Sequence, residues 1–366
     1  MRIILLGGGH AHIGVLRLWA ERPSRRPEGP ILLADPGAGA WYSGMLPGHV
    51  AGHYPARALM IDLPRLCDRA AVTRVEAAAD AVDPVRRRVR IGGSWHDFGL
   101  LSLDIGVHAR MDALPGFAEH ALAVKPLGAF AEGWARWLAK APPAPRVAVI
   151  GAGLGGAEIA LAMAHRLGPA ARVALIEAGS QPLPGLGARA RAMVLAALDR
   201  RGIGVVTGTA VTRIEADALH LADGRIHGAD LIVGAAGARP HGWLEGSGLT
   251  DARGFVPVGP TLQHPEYPHV LAVGDCAEML ASPRPKAGVH AVRQGPDLAH
   301  NLAALAAGRP LRPHRPQRDF LKLVSLGERR AIALWGGLAL GGAGGSALLW
   351  RLKDRIDRGF MARGRC

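Results

Sequence analysis

An α/β fold, with two parallel-sheet units and a small α+β region at the C-terminal end, is predicted by three observations. An apolar run, a glycine turn and a helical pattern follow one another twice, beginning at Ile3 and again at Arg146. In each copy the next apolar run ends on an acid, Asp35 and Glu177. Beyond a proline-rich stretch from Gly308 to Pro316, two short strand-like runs precede an amphipathic helix. Repeated strand, turn and helix imply parallel sheets covered by helices.

In the first copy, Ile3 to Leu6 form a strand that runs into Gly7-Gly8-Gly9-His10-Ala11-His12, after which Ile13, Val15, Leu16 and Leu18 recur at helical spacing. Gly7 and Gly9 match the first two glycines of G-x-G-x-x-G, the tight turn and the close approach to a pyrophosphate. His12 stands at the third position, which governs helix packing. Pro30 to Ala34 supply the next strand, and Asp35 at its end is placed for a ribose hydroxyl. The second copy is more regular. Arg146 to Ile150 lead into Gly151-Ala152-Gly153-Leu154-Gly155-Gly156, so Gly151, Gly153 and Gly156 fill all three positions. A helix is expected from Ala157 towards Leu167, then a strand from Val173 to Ile176 ending at Glu177. Glycines let backbone N–H groups approach phosphate at a helix N-terminus, where the dipole favours negative charge. Glu177 would accept from a free 2′-hydroxyl and repel a 2′-phosphate, so NADH is expected over NADPH. Both copies therefore read as Rossmann-like dinucleotide-binding domains.

Composition excludes several classes. Glycine is 50 of 366 residues, about twice the average usage of roughly 7%, but without a Gly-X-Y period. With 49% hydrophobic and 20% charged residues the chain can bury a core, against wholesale disorder. Cys67, Cys276 and Cys366 are too scattered for a disulfide framework or a paired-CxxC zinc site, no metal site is expected, and a reducing cytoplasmic setting is the default. The apolar run at the start is far too short for a secretory leader. Ala331 to Trp350 is uncharged and about one membrane span long, but six glycines interrupt it, against a spanning helix.

The formal charge of +14 concentrates at the end of the chain, where Arg309 to Cys366 hold thirteen Lys and Arg against four Asp and Glu. There, Leu349, Leu352, Ile356 and Phe360 fall on one helical face, with Arg351, Lys353, Arg355 and Arg358 elsewhere. Such a helix either packs its apolar stripe on its own domain or lies in an anionic membrane interface, with Trp350 at headgroup level. Nucleic acid is not expected, because no recognition motif accompanies the charge.

Further motifs carry a resemblance. His269 to Ala277, with Gly274-Asp275 at its centre, resembles the late strand-plus-GD motif of the pyridine nucleotide-disulfide oxidoreductase superfamily. Ile232 to Pro240, including Gly237, resembles that superfamily's element closing the NAD domain, and Leu103-Asp104-Ile105-Gly106 stands for its earlier counterpart. Within the superfamily the chain is most similar to type II NADH dehydrogenase-like flavoproteins, in the branch found alone or ahead of selenophosphate synthetase. The residues carrying this are GGGHAH (7 to 12), WYSGMLPGHVAGHY (41 to 54), LLSLDIG (100 to 106), RPKAGVHAVRQGPDLAHNL (284 to 302) and WRLKDRIDRGFM (350 to 361). The chain ends at Cys366, and a fused selenophosphate synthetase is not expected.

The resemblance implies FAD in the first domain and NADH in the second. It implies that Asp275 binds the ribityl and phosphate region, that Met45, Leu46 and Pro47 lie against the flavin ring, and that Glu158 lies near the nicotinamide. Ala291 to Gly295 approximates the quinone-pocket element AxQQG, with Gln294 retained and Arg293 in place of the first Gln. His10 and His12 are candidates for the flavin pyrophosphate, and His49, His53 and His290 for the border of the ring, with a structural or surface role the alternative for each. Lys286 is placed to stabilise a reduced flavin anion. The cysteine pair that disulfide reductases carry in the region of Trp41 to Gly48 is missing, so electrons are expected to leave the flavin directly.

Residues 1–112 and 252–308 are expected to form a discontinuous FAD domain, 113–251 the NAD domain and 309–366 the C-terminal region. The expected activity is an FAD-dependent NADH dehydrogenase passing electrons to a quinone or similar acceptor, cytoplasmic or peripheral on the cytoplasmic face of a membrane. A flavin reductase for a soluble partner, linked to selenium metabolism, or a dinucleotide-sensing module with little turnover, are the alternatives. A homodimer is compatible with either.

Overall fold

A computed structural model describes residues 1–109 and 111–363. Its centre is a pair of five-stranded parallel sheets. In the first, the order is Val270–Ala272, Leu100–Leu103, Ile3–Leu6, Ile31–Ala34 and Thr73–Val75. The second runs Ala121–Ala123, Leu231–Gly234, Arg146–Ile150, Arg172–Ile176 and Gly204–Val206. The two orders correspond strand for strand. Ile3–Leu6 is buried at every position because both faces of its sheet are covered, Ile3 and Leu5 clustering with residues of the flanking helices and Ile4 and Leu6 with Val82, Val89 and Ile91 of an antiparallel ribbon.

Each central strand feeds a glycine turn and a helix, His10–Glu21 in the first sheet and Leu154–Leu167 in the second. Gly7 and Gly151 both have positive φ, at 87° and 104°, which is the strained turn that glycine admits cheaply. Helix His10–Glu21 packs along Gly288–Ala306, where Gly14 and Gly295 bring the two backbones together. The proline-rich segment beyond that helix is strapped down: the Asn301 amide donates to Thr261 O and Arg312 O, and accepts from Arg312 N.

Each sheet also carries a three-stranded antiparallel ribbon that the sequence reading leaves out, Ala79–Asp83 with Arg88–Ile91 and Ser94–Asp97, and Val211–Ile214 with Ala218–Leu221 and Ile226–Gly228. In the C-terminal region, the two expected strands appear as Lys322–Ser325 and Ala331–Trp335, joined by Leu338–Leu340 in an antiparallel sheet. The uncharged stretch is therefore divided between two short strands, the turns around them and the start of a helix, and among the described residues no helix is long and apolar enough to cross a membrane.

Helix Ala347–Ala362 follows, capped by Ser346 Oγ, which accepts from Leu348 N and Leu349 N. Its expected single apolar face is divided. Phe360 and Met361 are buried with Asp357, whereas Leu348, Leu352 and Ile356 are exposed. The buried side is a polar clamp: Lys353 Nζ donates to Asp357 (2.6 Å) and Gly44 O (2.5 Å), and the Tyr42 hydroxyl donates to the other Asp357 oxygen (2.9 Å).

Candidate active site

A cavity of about 1520 Å³ runs from the first glycine turn to the second. A single small-molecule pocket usually holds roughly 300–1,000 Å³, so this one has room for more than one ligand. One wall is Gly7, Gly9, His10, Asp35, Gly106 and Asp275; another holds Leu154, Gly155 and Glu158. Ile356 and Phe360 of the C-terminal helix, with His290 and Phe320, line a third side.

The two glycine turns are built alike. Asp35 accepts from Gly8 N (2.6 Å) and Gly37 N (2.8 Å); Glu177 accepts from Ala152 N and Gly179 N (both 2.9 Å). Each acid thus fixes the middle of its loop from the neighbouring strand. The third position differs. A Cβ on Gly156 would collide with Gly151 O, so this glycine permits tight helix packing. His12 fills the same position with hydrogen bonds, one ring nitrogen 2.7 Å from Gly7 O and the other 2.8 Å from Ser102 Oγ. Burial lowers its pKa to about 4, so it is neutral and sits behind the loop, away from the cavity where it was expected.

Asp104 was not singled out from the sequence. Its carboxylate accepts from Ala11 N (2.8 Å) and His12 N (2.9 Å), the first turn of the helix. A Cβ on Gly9 would collide with it, and one on Gly274 would lie 2.5 Å from its Oδ1. Burial pushes its pKa up to about 7, against the two N–H bonds and with Asp275 and Asp35 adding to the rise. The legible signal was an acid in place of a small residue in the 100 to 106 motif.

Other expected residues stand apart from the wall. Met45, Leu46 and Pro47 are buried in a short turn and helix that packs on Leu154–Leu167, and Trp41 to Gly44 line the cavity in their place. Gln294 is buried and accepts from Gly274 N (2.7 Å), supporting the turn before Asp275; Arg293 is exposed. Gly153 and Gly237 have open space where a Cβ would stand, and with Gly151, Gly156 and Glu177 they surround the second turn outside the cavity lining. His49 and His53 bond the carbonyls of Tyr54 and Gly327 and do not line the cavity. Lys286 lines it, but its ammonium is held by Glu278 (2.9 Å) and Ala277 O (2.5 Å) over the Phe255 ring. The side chain expected to stabilise a reduced flavin is therefore already paired.

His10, His290 and Glu158 face the cavity. The His10 ring meets Tyr42 and Phe360, its Nε2 has no hydrogen-bond partner, and burial lowers its pKa to about 4. Glu158 accepts from Ser325 N (2.8 Å); burial raises its pKa to about 6, opposed by nearby Lys353. Cys67 and Cys276 are buried free thiols in separate core clusters, each pushed up to about 12 by burial; Cys366 lies outside the described residues. Among the described residues, no cluster of His, Cys, Asp and Glu is arranged to hold a metal.

A family model described as pyridine nucleotide-disulphide oxidoreductase matches residues 1–295. The chain belongs to this family. It is 34% identical over 206 residues to the nitric oxide reductase FlRd-NAD(+) reductase of Aeromonas hydrophila, covering 54% of this chain and 50% of that one. It is 30% identical over 207 residues to the type II NADH:quinone oxidoreductase of Haemophilus influenzae, covering 51% and 46%. The chain thus spans about half the length of these curated relatives. Its fold is similar to NDH2 of Plasmodium falciparum (TM-score 0.81, 12% identity, covering 98% and 97%) and to the sulfide:quinone oxidoreductase of Aquifex aeolicus (TM-score 0.80, 17% identity, covering 100% and 91%). FAD and NADH are the cofactors of this family, and the residues fit them: the first glycine turn lines the cavity, the second reaches it through Leu154 and Gly155, each at a helix N-terminus, and there is open space beside Gly106, Gly153 and Gly155.

Proposed function

We propose that the protein is an FAD-dependent NADH dehydrogenase that passes electrons to a quinone without a redox disulfide. The observation that carries the reading is the cavity that runs from the first glycine turn to Leu154 and Gly155 of the second, with Glu158 on its wall and Ile356 and Phe360 of the C-terminal helix along one side. The flavin, when bound, supplies hydride acceptance from the nicotinamide and onward electron transfer. The protein's own residues orient and insulate. Gly7, Gly9 and the start of helix His10–Glu21 would hold the flavin pyrophosphate, and Asp275 the ribityl chain. Gly151, Gly153 and the start of helix Leu154–Leu167 would hold that of NADH, with Glu177 selecting against a 2′-phosphate. Glu158 retains a proton to about pH 6 and would hand it to the reduced acceptor. His10, Tyr42 and Phe360 form an apolar, aromatic wall with one neutral polar ring, suited to a planar quinone headgroup. Buried thiols with raised pKa values offer no thiolate for a relay.

Membrane contact is part of this reading. Leu348, Leu352 and Ile356 of the C-terminal helix are exposed, as are Trp335, Leu338 and Leu340 of the adjoining sheet, and Arg351 and Arg355 flank them. Apolar side chains edged by arginine suit an anionic interface. A second reading, a reductase for a soluble redox protein, draws on the likeness to the FlRd-NAD(+) reductase.

Stopped-flow mixing tests the proposal. NADH should bleach the bound flavin anaerobically, and a water-soluble quinone should restore its colour much faster than oxygen does. A protein without flavin, or one whose flavin NADH leaves oxidised, would end the reading. Rapid reoxidation by a small soluble redox protein, with slow reoxidation by quinones, would replace the quinone by the soluble partner.

A further inference from the structure

Three lysines line the cavity, and each is paired: Lys286 with Glu278, Lys322 with Asp319 and Lys125 with Asp275. The first two pair within their own segments, 8 and 3 residues apart. Lys125 reaches across 150 residues, its Nζ 2.8 Å from Asp275 Oδ2. The two partners leave corresponding places in the fold. Lys125 follows Ala121–Ala123, the edge strand of the second sheet, and Asp275 follows Val270–Ala272, the edge strand of the first.

The charge around Asp275 gives this contact a purpose. Asp35, Asp104 and Asp275 all face the region where a flavin pyrophosphate must bind, and the first and last are close enough to Asp104 to raise its pKa. A dianion entering among three carboxylates needs a cation nearby. Of the three lysines, Lys125 is the one whose carboxylate partner belongs to this region, while Lys286 is turned to Glu278 and the Ala277 carbonyl. Lys125 engages Asp275 through Oδ2, and among the described residues no protein group donates to Oδ1.

We infer that Lys125 is the positioning residue of the flavin site, holding Asp275 so that its second oxygen is presented to the flavin's ribityl chain, and bracing the nicotinamide unit against the flavin unit. This rests on the assignment of the first sheet to FAD, and extends it to a residue of the second. Lys125 acts through Asp275, so its effect must depend on that carboxylate.

The test is the rate at which holoenzyme releases FAD on dilution, followed by the rise in flavin fluorescence. Lys125→Met should release FAD about tenfold faster than the unaltered protein, and Lys125→Arg within about threefold of it, as expected for a partly buried ion pair. In an Asp275→Asn background, Lys125→Met should change the rate less than about twofold. Release at the unaltered rate from Lys125→Met, or the same tenfold change in both backgrounds, overturns the inference. Unaltered protein that holds no FAD overturns the assignment beneath it instead, so the two failures are distinguishable.

Discussion

Three backbone segments meet at the Asp104 carboxylate: the helix start at Ala11 and His12, the loop at Gly9 and the turn at Gly274. Replacing it by alanine leaves two N–H groups unpaired in a buried place, at about 1–3 kcal/mol each. Asp104→Ala should therefore be purified nearly free of flavin and melt at lower temperature, with Asp104→Asn intermediate; full flavin absorbance in the alanine variant would contradict this. Glu158 makes a prediction with a definite sign. Its proton is present below about pH 6 and lost as pH rises through that value, so the rate of quinone reduction should fall from pH 5 to pH 8. Glu158→Gln should be slower at acid pH and flat across the range. Glu177 is the third case: Glu177→Ser should narrow the preference for NADH over NADPH, read as the ratio of flavin reduction rates. These residues were legible in different degrees. Glu177 follows from its place after a glycine turn and Glu158 only from a resemblance; Asp104 shows in the sequence as an acid out of place, but its role comes from the fold, because the N–H groups it serves lie more than 90 residues away.

Among the elements, the C-terminal helix departs furthest from its sequence pattern. Helical periodicity placed Leu349, Leu352, Ile356 and Phe360 together, yet Phe360 is buried and Leu352 and Ile356 are exposed. The face turned inward is chosen by Asp357 and Lys353, which find partners in Tyr42 and Gly44. A buried ion pair that loses one member leaves an unpaired charge, a loss of about 3–5 kcal/mol. Asp357→Ala should lower the melting temperature by several degrees and expose the helix to proteolysis; an unchanged melt would show that the clamp carries little. The antiparallel ribbons were missed for another reason. Asp223-Gly224, a hairpin signal with positive φ at Gly224, joins two of their strands, but half-exposed strands of three to five residues show too little alternation to register.

For the whole molecule, the C-terminal region does two jobs at once. Its helix walls the cavity with Ile356 and Phe360 on one side and presents Leu348 and Leu352 outward on another. Leu348→Asp with Leu338→Asp should abolish sedimentation with anionic phospholipid vesicles while a water-soluble quinone is still reduced; retained vesicle binding would locate the contact elsewhere.

The sequence by itself determined the two glycine turns, their acids and the duplicated parallel sheets, because strand, turn and helix are adjacent in the chain and their chemistry is local. Tertiary structure decided which side chains reach the cavity. It withdrew Met45 to Pro47, Gln294 and His12 into the interior, paired Lys286 with Glu278, and brought Lys125 to Asp275. Those outcomes depend on sheet order and on how helices pack between distant strands, and no spacing along the chain encodes either.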